Sequence, residues 1–159
     1  MTILRHLCAF FGHPWLAFAF RLYIGGVFVY ASMAKISYPA EFANNIASYQ
    51  LLPYWAVNVM AVFLPWFELC AGVLLILGVR LKAVALAASG MLVVFAVAIA
   101  INLLRDTPMG CGCFTSSEEQ ISLYTLLRDL IWLGMALHVY RFDRSFQLER
   151  HFLLAVKEV

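Results

Sequence analysis

Residues 83–104 read AVALAASGMLVVFAVAIAINLL, and this stretch decides the fold class. Its 22 residues include no ionisable side chain. About 20 consecutive apolar residues are enough for an α-helix to cross the hydrocarbon core of a bilayer. The segment therefore predicts a transmembrane helix rather than an element of a soluble domain.

The composition of the whole chain also indicates an integral membrane protein. Apolar residues make up 64% of the 159 positions and charged residues 13%, whereas soluble domains average about 45–50% apolar and about 25% charged. The net charge of +2 is too small and too scattered to indicate nucleic-acid binding. We therefore expect the lipid bilayer, and no nucleic acid, as a partner.

Three further apolar segments bring the number of predicted spans to four. With the segment above, they cover about residues 14–34, 55–78, 83–104 and 121–140. Short connections between successive spans favour antiparallel neighbours. The predicted fold is all-α: an integral membrane antiparallel four-helix bundle within residues 1–141, followed by an amphipathic tail over residues 142–159.

Lys and Arg residues predict how the bundle is oriented. Seven of them lie before span one, between spans two and three, or after span four: Arg5, Arg80, Lys82, Arg141, Arg144, Arg150 and Lys157. Lys35 and Arg105 lie at the opposite ends of the spans. The positive-inside rule then places both termini and the tail in the cytoplasm. Residues 38–54 and 106–120 become loops on the outer face, which is the periplasm for a bacterial inner membrane.

The second outer loop contains Met109-Gly110-Cys111-Gly112-Cys113-Phe114. Two thiols at this spacing can close a small disulfide ring whose strain makes it easier to reduce. The ring is a poor structural staple because the loop that it closes is tiny. It suits electron exchange with another dithiol, in a compartment where disulfides persist. Cys111 and Cys113 are therefore the candidate catalytic pair.

Other interpretations of this loop stay open. Met109, Cys111 and Cys113 offer the thioether and thiolate ligands that Cu(I) prefers, which would make the loop a metal site. The loop could also dock a partner in a non-catalytic assembly factor. Ser116 and Glu119 have the spacing of a capping box and predict that span four begins there, with its positive end toward the thiols. An enzyme, if this is one, would be a thiol:disulfide oxidoreductase.

Five ionisable residues form the predicted polar core: Arg21, Lys35, Glu68, Arg128 and Asp129. Charges inside a bilayer are costly, and they either pair to hold helices together or mark a functional site. Depth along the spans favours an Arg21–Glu68 pair and brings Lys35 within reach of Asp129. A pocket near Arg128 and Asp129 could carry protons or hold the head of a lipid-soluble cofactor, for which a quinone is the candidate.

The order of several motifs resembles that of DoxX-like membrane proteins. These motifs are Arg21…Gly25…Phe28…Ala31-Ser32…Lys35, Pro39, Phe42, Tyr49…Leu52-Pro53, Leu64-Pro65-Trp66-Phe67-Glu68-Leu69 and Gly72…Leu75…Leu77-Gly78. The segment Cys111-Gly112-Cys113-Phe114, followed by Arg128-Asp129, narrows the resemblance to the methylamine-utilisation MauE family within that group. It extends over roughly Ala17 to Leu137.

The resemblance implies a four-helix membrane protein needed for the maturation of a disulfide-rich periplasmic enzyme, the small subunit of methylamine dehydrogenase. It also implies a thioredoxin-like extracytoplasmic partner. By position, Cys111 and Cys113 would be the redox pair, and the polar core would comprise Lys35, Glu68, Arg128 and Asp129. The resulting expectation is a membrane thiol–disulfide redox protein, with a quinone as a further possible partner and with the direction of electron flow open.

Overall fold

The computed structural model describes residues 14–105 and 122–143. All regular structure in these residues is α-helical. In chain order the helices are α1 (Pro14–Ser37), α2 (Pro39–Ser48), α3 (Tyr54–Leu77), α4 (Leu81–Leu104) and α5 (Leu123–Phe142). The all-α prediction is therefore confirmed for the described residues.

Three of these helices are long and apolar enough to cross a membrane. Their mean hydropathies are 1.5 over Trp15–Ser37, 2.2 over Tyr54–Leu77 and 2.7 over Leu81–Leu104. The fourth long helix, α5, is 20 residues long but carries Arg128 and Asp129, and it is not among the three. The apolar helices indicate a membrane protein.

Helix α2 occupies a region that the sequence predicted as an outer loop, so the loop prediction was wrong for residues 39–48. Pro39 suits the first turn of a helix, where its missing N–H is not needed, and Glu41 places a negative charge near the positive helix end. Phe42 is buried, and Ile46 follows one turn later on the same face. This spacing is typical of an amphipathic helix packed against other elements.

A short turn connects α3 to α4. The N–H of Gly78 donates to the carbonyl oxygens of Leu74 and Leu75, at 2.9 and 3.2 Å, and Gly78 has φ 75°. Glycine adopts this left-handed conformation without the penalty that a Cβ would bring, which suits the residue that ends a helix. Helix α4 begins three residues later at Leu81, so the adjoining ends of α3 and α4 are held close together.

The N-cap of α5 differs from the one predicted for span four. Ser122 is the N-cap of α5, and its Oγ accepts a hydrogen bond from the Thr125 N–H at 3.4 Å. An N-cap hydroxyl satisfies one of the free N–H groups of the first turn. The prediction of a cap at Ser116 was therefore wrong for this helix, and Ser116 and Glu119 themselves lie outside the described residues.

The contacts between the four long helices close a ring. Helix α1 packs most extensively on α3, α4 packs on α5, and α1 also contacts α5, while the seam between α3 and α4 has the least contact of the four. The buried core comprises Ile24, Phe28, Ala71, Leu75, Leu81, Val84, Ala85, Ala88, Leu92, Ala136 and Val139. This core extends from the turn at Gly78 to about the middle of the helices.

The opposite ends of the long helices position the candidate site. We call them the loop end: α1 ends there at Ser37, α3 begins at Tyr54, α4 ends at Leu104 and α5 begins at Leu123. The connection that contains the two predicted redox cysteines joins α4 to α5 at this end.

Candidate functional site

A buried ion pair joins α1 to α3. Lys35 Nζ donates hydrogen bonds to Glu68 Oε1 at 2.6 Å and to Glu68 Oε2 at 2.7 Å. The two residues are 6% and 4% exposed. Lys35 Nζ also lies 5.1 Å from the centroid of the Phe42 ring and 5.0 Å from that of Phe95, so cation–π attraction adds to the ion pair. One carboxylate and two aromatic rings thus surround the ammonium group.

A second buried ion pair joins α1 to the end of α5. Arg21 Nη1 donates to Asp143 Oδ2 at 3.2 Å, and the two side chains are 3% and 0% exposed. The guanidinium carbon of Arg21 also lies 4.8 Å from the centroid of the Phe18 ring. Asp143 falls within the predicted tail, and this contact was not predicted from the sequence. A signal for this pair was present in the sequence, because Asp143 directly follows the fourth predicted span, at the same predicted membrane face as the end of span one nearer to Arg21.

The predicted Arg21–Glu68 pair is wrong. Glu68 binds Lys35, and the 14 residues from Arg21 to Lys35 correspond to about 21 Å along α1. Predicted span boundaries give the depth of each charge along its own helix, but they do not give the shift of α1 relative to α3.

A cavity of about 810 Å³ lies beside the Lys35–Glu68 pair. The charged residues on its wall are Lys35, Glu68 and Asp129. The rest of the wall is mainly apolar and comes from all five helices, with aromatic side chains from Phe28, Phe42, Tyr49, Phe95 and Trp132. The volume falls in the range of about 300–1,000 Å³ that is usual for small-molecule sites.

Asp129 brings an unsatisfied polar atom to this cavity. The residue is 6% exposed, and its Oδ2 accepts no hydrogen bond from any of the described residues. Asp129 lies seven residues after Ser122, which is about 10 Å along α5 from the loop end. Buried polar atoms in proteins are usually hydrogen-bonded, so this oxygen is a candidate acceptor for a bound molecule.

Arg128 and Arg21 are not among the described residues that line the cavity, although Arg128 acts electrostatically on its neighbour Asp129. The guanidinium carbon of Arg128 lies 5.0 Å from the centroid of the Trp132 ring, and Trp132 itself lies on the cavity wall. Arg21 is held by Asp143 at the far end of the helices. Of the five predicted polar-core residues, the structure therefore brings Lys35, Glu68 and Asp129 to one cavity.

The place of aromatic residues around Lys35 was not predicted from the sequence, although Phe42 and Tyr49 are among the motif residues. Phe42, Ile46 and Tyr49 have helical spacing and all lie on the cavity wall, so an amphipathic pattern was present in the supposed loop. Phe95 sits within a continuous apolar segment, where no single residue stands out. The first group could have been found from periodicity, whereas Phe95 needed the three-dimensional arrangement.

The predicted redox pair, Cys111 and Cys113, and the alternative copper ligand Met109 lie outside the described residues. Within residues 14–105 and 122–143, no group of three or more His, Cys, Asp or Glu is arranged to hold a metal ion. Arg105, which directly follows α4, donates through Nη1 to the Tyr49 carbonyl oxygen at 3.5 Å. The chain therefore leaves α4 close to the end of α2.

Comparisons with known proteins agree on one family. The model of the MauE family, described as methylamine utilisation protein MauE, matches residues 13–141. A relative of that name from Paracoccus denitrificans is 34% identical over 128 residues, which cover 79% of this chain and 69% of the relative. For the relative from Methylophilus methylotrophus, the identity is 36% over 130 residues, with coverages of 79% and 68%.

A third relative of the same name, from Paracoccus versutus, is 34% identical over 126 residues, which cover 78% of this chain and 68% of the relative. No solved structure gives a significant match to the chain. The family match covers most of the chain, including all five helices except the final residue of α5. The resemblance inferred from the motifs is thereby confirmed, and the chain belongs to the MauE family.

Proposed function

We propose that the chain is a thiol–disulfide redox protein of the bacterial inner membrane, with Cys111 and Cys113 as the redox-active pair. The observation that supports this proposal is the position of the cavity and its charges. They extend from the middle of the long helices toward the end at which α4 ends and α5 begins. A mainly apolar pocket with charged residues, at the end of the bundle to which the dithiol segment is connected, is suited to a protein that passes electrons onward from its thiols.

Exchange takes place in two thiolate attacks. In one direction, a thiolate of the pair attacks the disulfide of an extracytoplasmic thioredoxin-like protein, forms a mixed disulfide and releases one partner thiolate. The other cysteine then attacks its neighbour's sulfur in the mixed disulfide, which leaves a Cys111–Cys113 disulfide and a reduced partner. Two electrons pass to the partner, and the reverse steps oxidise it. Either direction would support the maturation of disulfide-containing periplasmic proteins, including those of methylamine utilisation.

This proposal includes a membrane arrangement. Helix α5 is the fourth span of an antiparallel four-helix bundle, both termini are cytoplasmic, and residues 106–121 face the periplasm. The contacts of α5 with both α1 and α4 support its place in the bundle. The burial of Asp129 supports it as well, because ionisable residues of a span face the bundle interior.

Single Cys→Ser variants test the redox role. Cys111→Ser and Cys113→Ser should each reduce exchange with a periplasmic thioredoxin-like protein to the uncatalysed rate, because neither variant can complete both attacks. One of them should accumulate a mixed disulfide, detected as a band shift on a non-reducing gel. Cys70→Ser is the matched control, since Cys70 is a free, exposed cysteine on α3, and it should exchange at the normal rate.

Two results would contradict the redox role. Full maturation activity in the double variant Cys111→Ser/Cys113→Ser would favour a non-catalytic assembly factor. Purification of the chain with about one Cu(I), lost when Met109 or either cysteine is replaced, would favour the copper-handling alternative, because these are the soft ligands that Cu(I) prefers.

A further inference from the structure

The exposed part of the cavity wall lies on α4, beside the seam with α3. On the α4 side, its wall includes Val93, Val94 and Val97, which are 46%, 63% and 52% exposed. On the α3 side, it includes Met60 and Leu64. Both helices are apolar enough to cross a membrane, so this seam faces lipid tails. A molecule dissolved in the bilayer can therefore reach the cavity directly.

The charges on the wall restrict the head group that fits. Among the described residues, Lys35, Glu68 and Asp129 lie on the wall, and Arg128 acts electrostatically on Asp129. Two cations thus balance two carboxylates, so the anionic head of a fatty acid or a phospholipid meets no excess of positive charge. An ammonium group has three N–H donors, and the Glu68 oxygens receive two hydrogen bonds from Lys35. Asp129 Oδ2, which accepts no hydrogen bond from the described residues, adds an acceptor. A neutral head that can both accept and donate hydrogen bonds suits these groups.

The aromatic residues favour a flat head. Phe42, Phe95 and Trp132 lie on the wall, and the first two rings flank the Lys35 ammonium group. Flat rings pack against aromatic side chains in stacked or edge-to-face geometry, which adds about 0.5–1.5 kcal/mol for each pair in proteins. The valine-lined opening on α4 offers an apolar path for a hydrocarbon tail.

We propose that the cavity binds a membrane quinone, in its oxidised or quinol form, which enters between α3 and α4. A ring oxygen accepts a hydrogen bond from Lys35, and a quinol hydroxyl donates one to Asp129. The inference of a flat, neutral head group comes from the cavity alone. The inference that the bound molecule is redox-active rests on the proposed function. Oxidation of the cysteine pair to a disulfide releases two electrons and two protons, and reduction of one quinone to a quinol consumes both.

A variant that fills the cavity mouth tests the site. Gly90 lies on the wall, and a Cβ built there meets no atom within 4 Å, so Gly90→Phe can occupy the opening without displacing its own helix. Gly134→Phe is the matched control, because Gly134 is also unobstructed but lies on the outside of α5. The measurement is equilibrium binding of decylubiquinone to the full chain in phosphatidylcholine nanodiscs.

We expect wild type and Gly134→Phe to bind decylubiquinone at about one molecule per chain, as a single pocket allows, and Gly90→Phe to bind at least about tenfold more weakly. Asp129→Asn should weaken binding of the quinol by about tenfold while leaving the opening clear, because the charged acceptor is lost. Equal affinity in wild type and Gly90→Phe would overturn the site. So would a phospholipid in the cavity that decylubiquinone does not displace.

The double variant Cys111→Ser/Cys113→Ser separates this site from the redox proposal. Because the proposed contacts at Lys35, Asp129 and the aromatic wall residues are unchanged in it, the double variant should bind decylubiquinone as tightly as wild type. Normal binding together with exchange that survives the loss of both cysteines would overturn the redox proposal and leave the binding site standing. Failure of wild type to bind decylubiquinone, with exchange intact, would overturn the site alone.

Discussion

Lys35 illustrates how a charged side chain is accommodated among apolar helices. Its ammonium group meets both oxygens of Glu68 and the faces of Phe42 and Phe95. Removing two charges from water costs several kcal/mol per ion, and the attraction between them offsets this only when the geometry is good and their remaining hydrogen bonds are satisfied. The pair therefore depends on both members, and neither residue can be replaced alone without leaving a buried charge.

The interdependence of this pair can be tested by substitution. Glu68→Leu should destabilise the protein by about 3–5 kcal/mol, because Lys35 then remains buried without its carboxylate. The double variant Lys35→Met/Glu68→Leu should recover much of that loss, since an apolar pair of similar volume is often neutral. Lys82→Met, at an exposed position on α4, is the control and should change stability by less than about 0.5 kcal/mol.

The measurement is thermal unfolding in a mild detergent, followed by circular dichroism. A Glu68→Leu variant no less stable than Lys82→Met would show that the ion pair does not hold α1 to α3.

The sequence indicates which charged residues are important but not which of them form ion pairs, and this difference has a physical cause. Lys35, Glu68 and Asp129 could be selected from the sequence because an ionisable residue in an apolar segment is conspicuous and costly. Their partners could not, since pairing depends on how far one helix is shifted along another. That shift is set by packing between α1 and α3, which no single segment reveals.

Among the elements, the contact between α1 and α3 depends on two glycines. A Cβ added at Gly72 would lie 2.8 Å from the Gly25 carbonyl oxygen and 2.9 Å from Val29 Cγ2. Small residues of this kind let membrane helices approach closely, because association there relies on packing. Gly26, in contrast, faces open space and has no neighbour within 4 Å of an added Cβ.

Gly72, which is in close contact with α1, and Gly26, which faces open space, provide a matched pair of variants. Gly72→Ala should destabilise the protein by about 1–3 kcal/mol, because the backbone of α1 must move to admit the methyl group. Gly26→Ala should be neutral or stabilising by up to about 1 kcal/mol, since alanine favours a helix more than glycine does. The same unfolding measurement compares them, and equal effects at the two positions would contradict the close contact.

Helix α2 marks the limit of element prediction from this sequence. The long apolar segments were conspicuous, and their lengths follow from the thickness of a bilayer. A ten-residue helix between two spans gives a weaker signal, because its polar face resembles a loop and only Phe42, Ile46 and Tyr49 carry the periodicity. Its packing on α3 and α1 stabilises it in the folded protein.

At the scale of the whole molecule, the two halves of the long helices differ. Near the Gly78 turn they are filled by a continuous apolar core, and toward the loop end they enclose the cavity. Protein interiors are normally close-packed, so a void of this size on one side of a packed core suggests a place for an occupant. The packed core near Gly78 would then hold the long helices in place around the cavity.

The orientation of the whole molecule can be tested by thiol labelling. In a background that lacks Cys8 and Cys70, a membrane-impermeant maleimide should label the reduced Cys111–Cys113 pair in intact spheroplasts, because the positive-inside rule places that loop outside. A Lys82→Cys residue in a chain without other cysteines should be labelled only after lysis, since it lies at the opposite end of α4. The reverse pattern would invert the proposed arrangement.

The turn at residues 78–80 and the core beside it close the seam between α3 and α4 at one end. The exposed wall residues Val93, Val94 and Val97 lie near the middle of α4, so a hydrophobic molecule meets the opening close to the centre of the bilayer. The protein would then draw on the lipid pools of both leaflets, and a carrier delivered to either one could bind without first crossing the whole membrane.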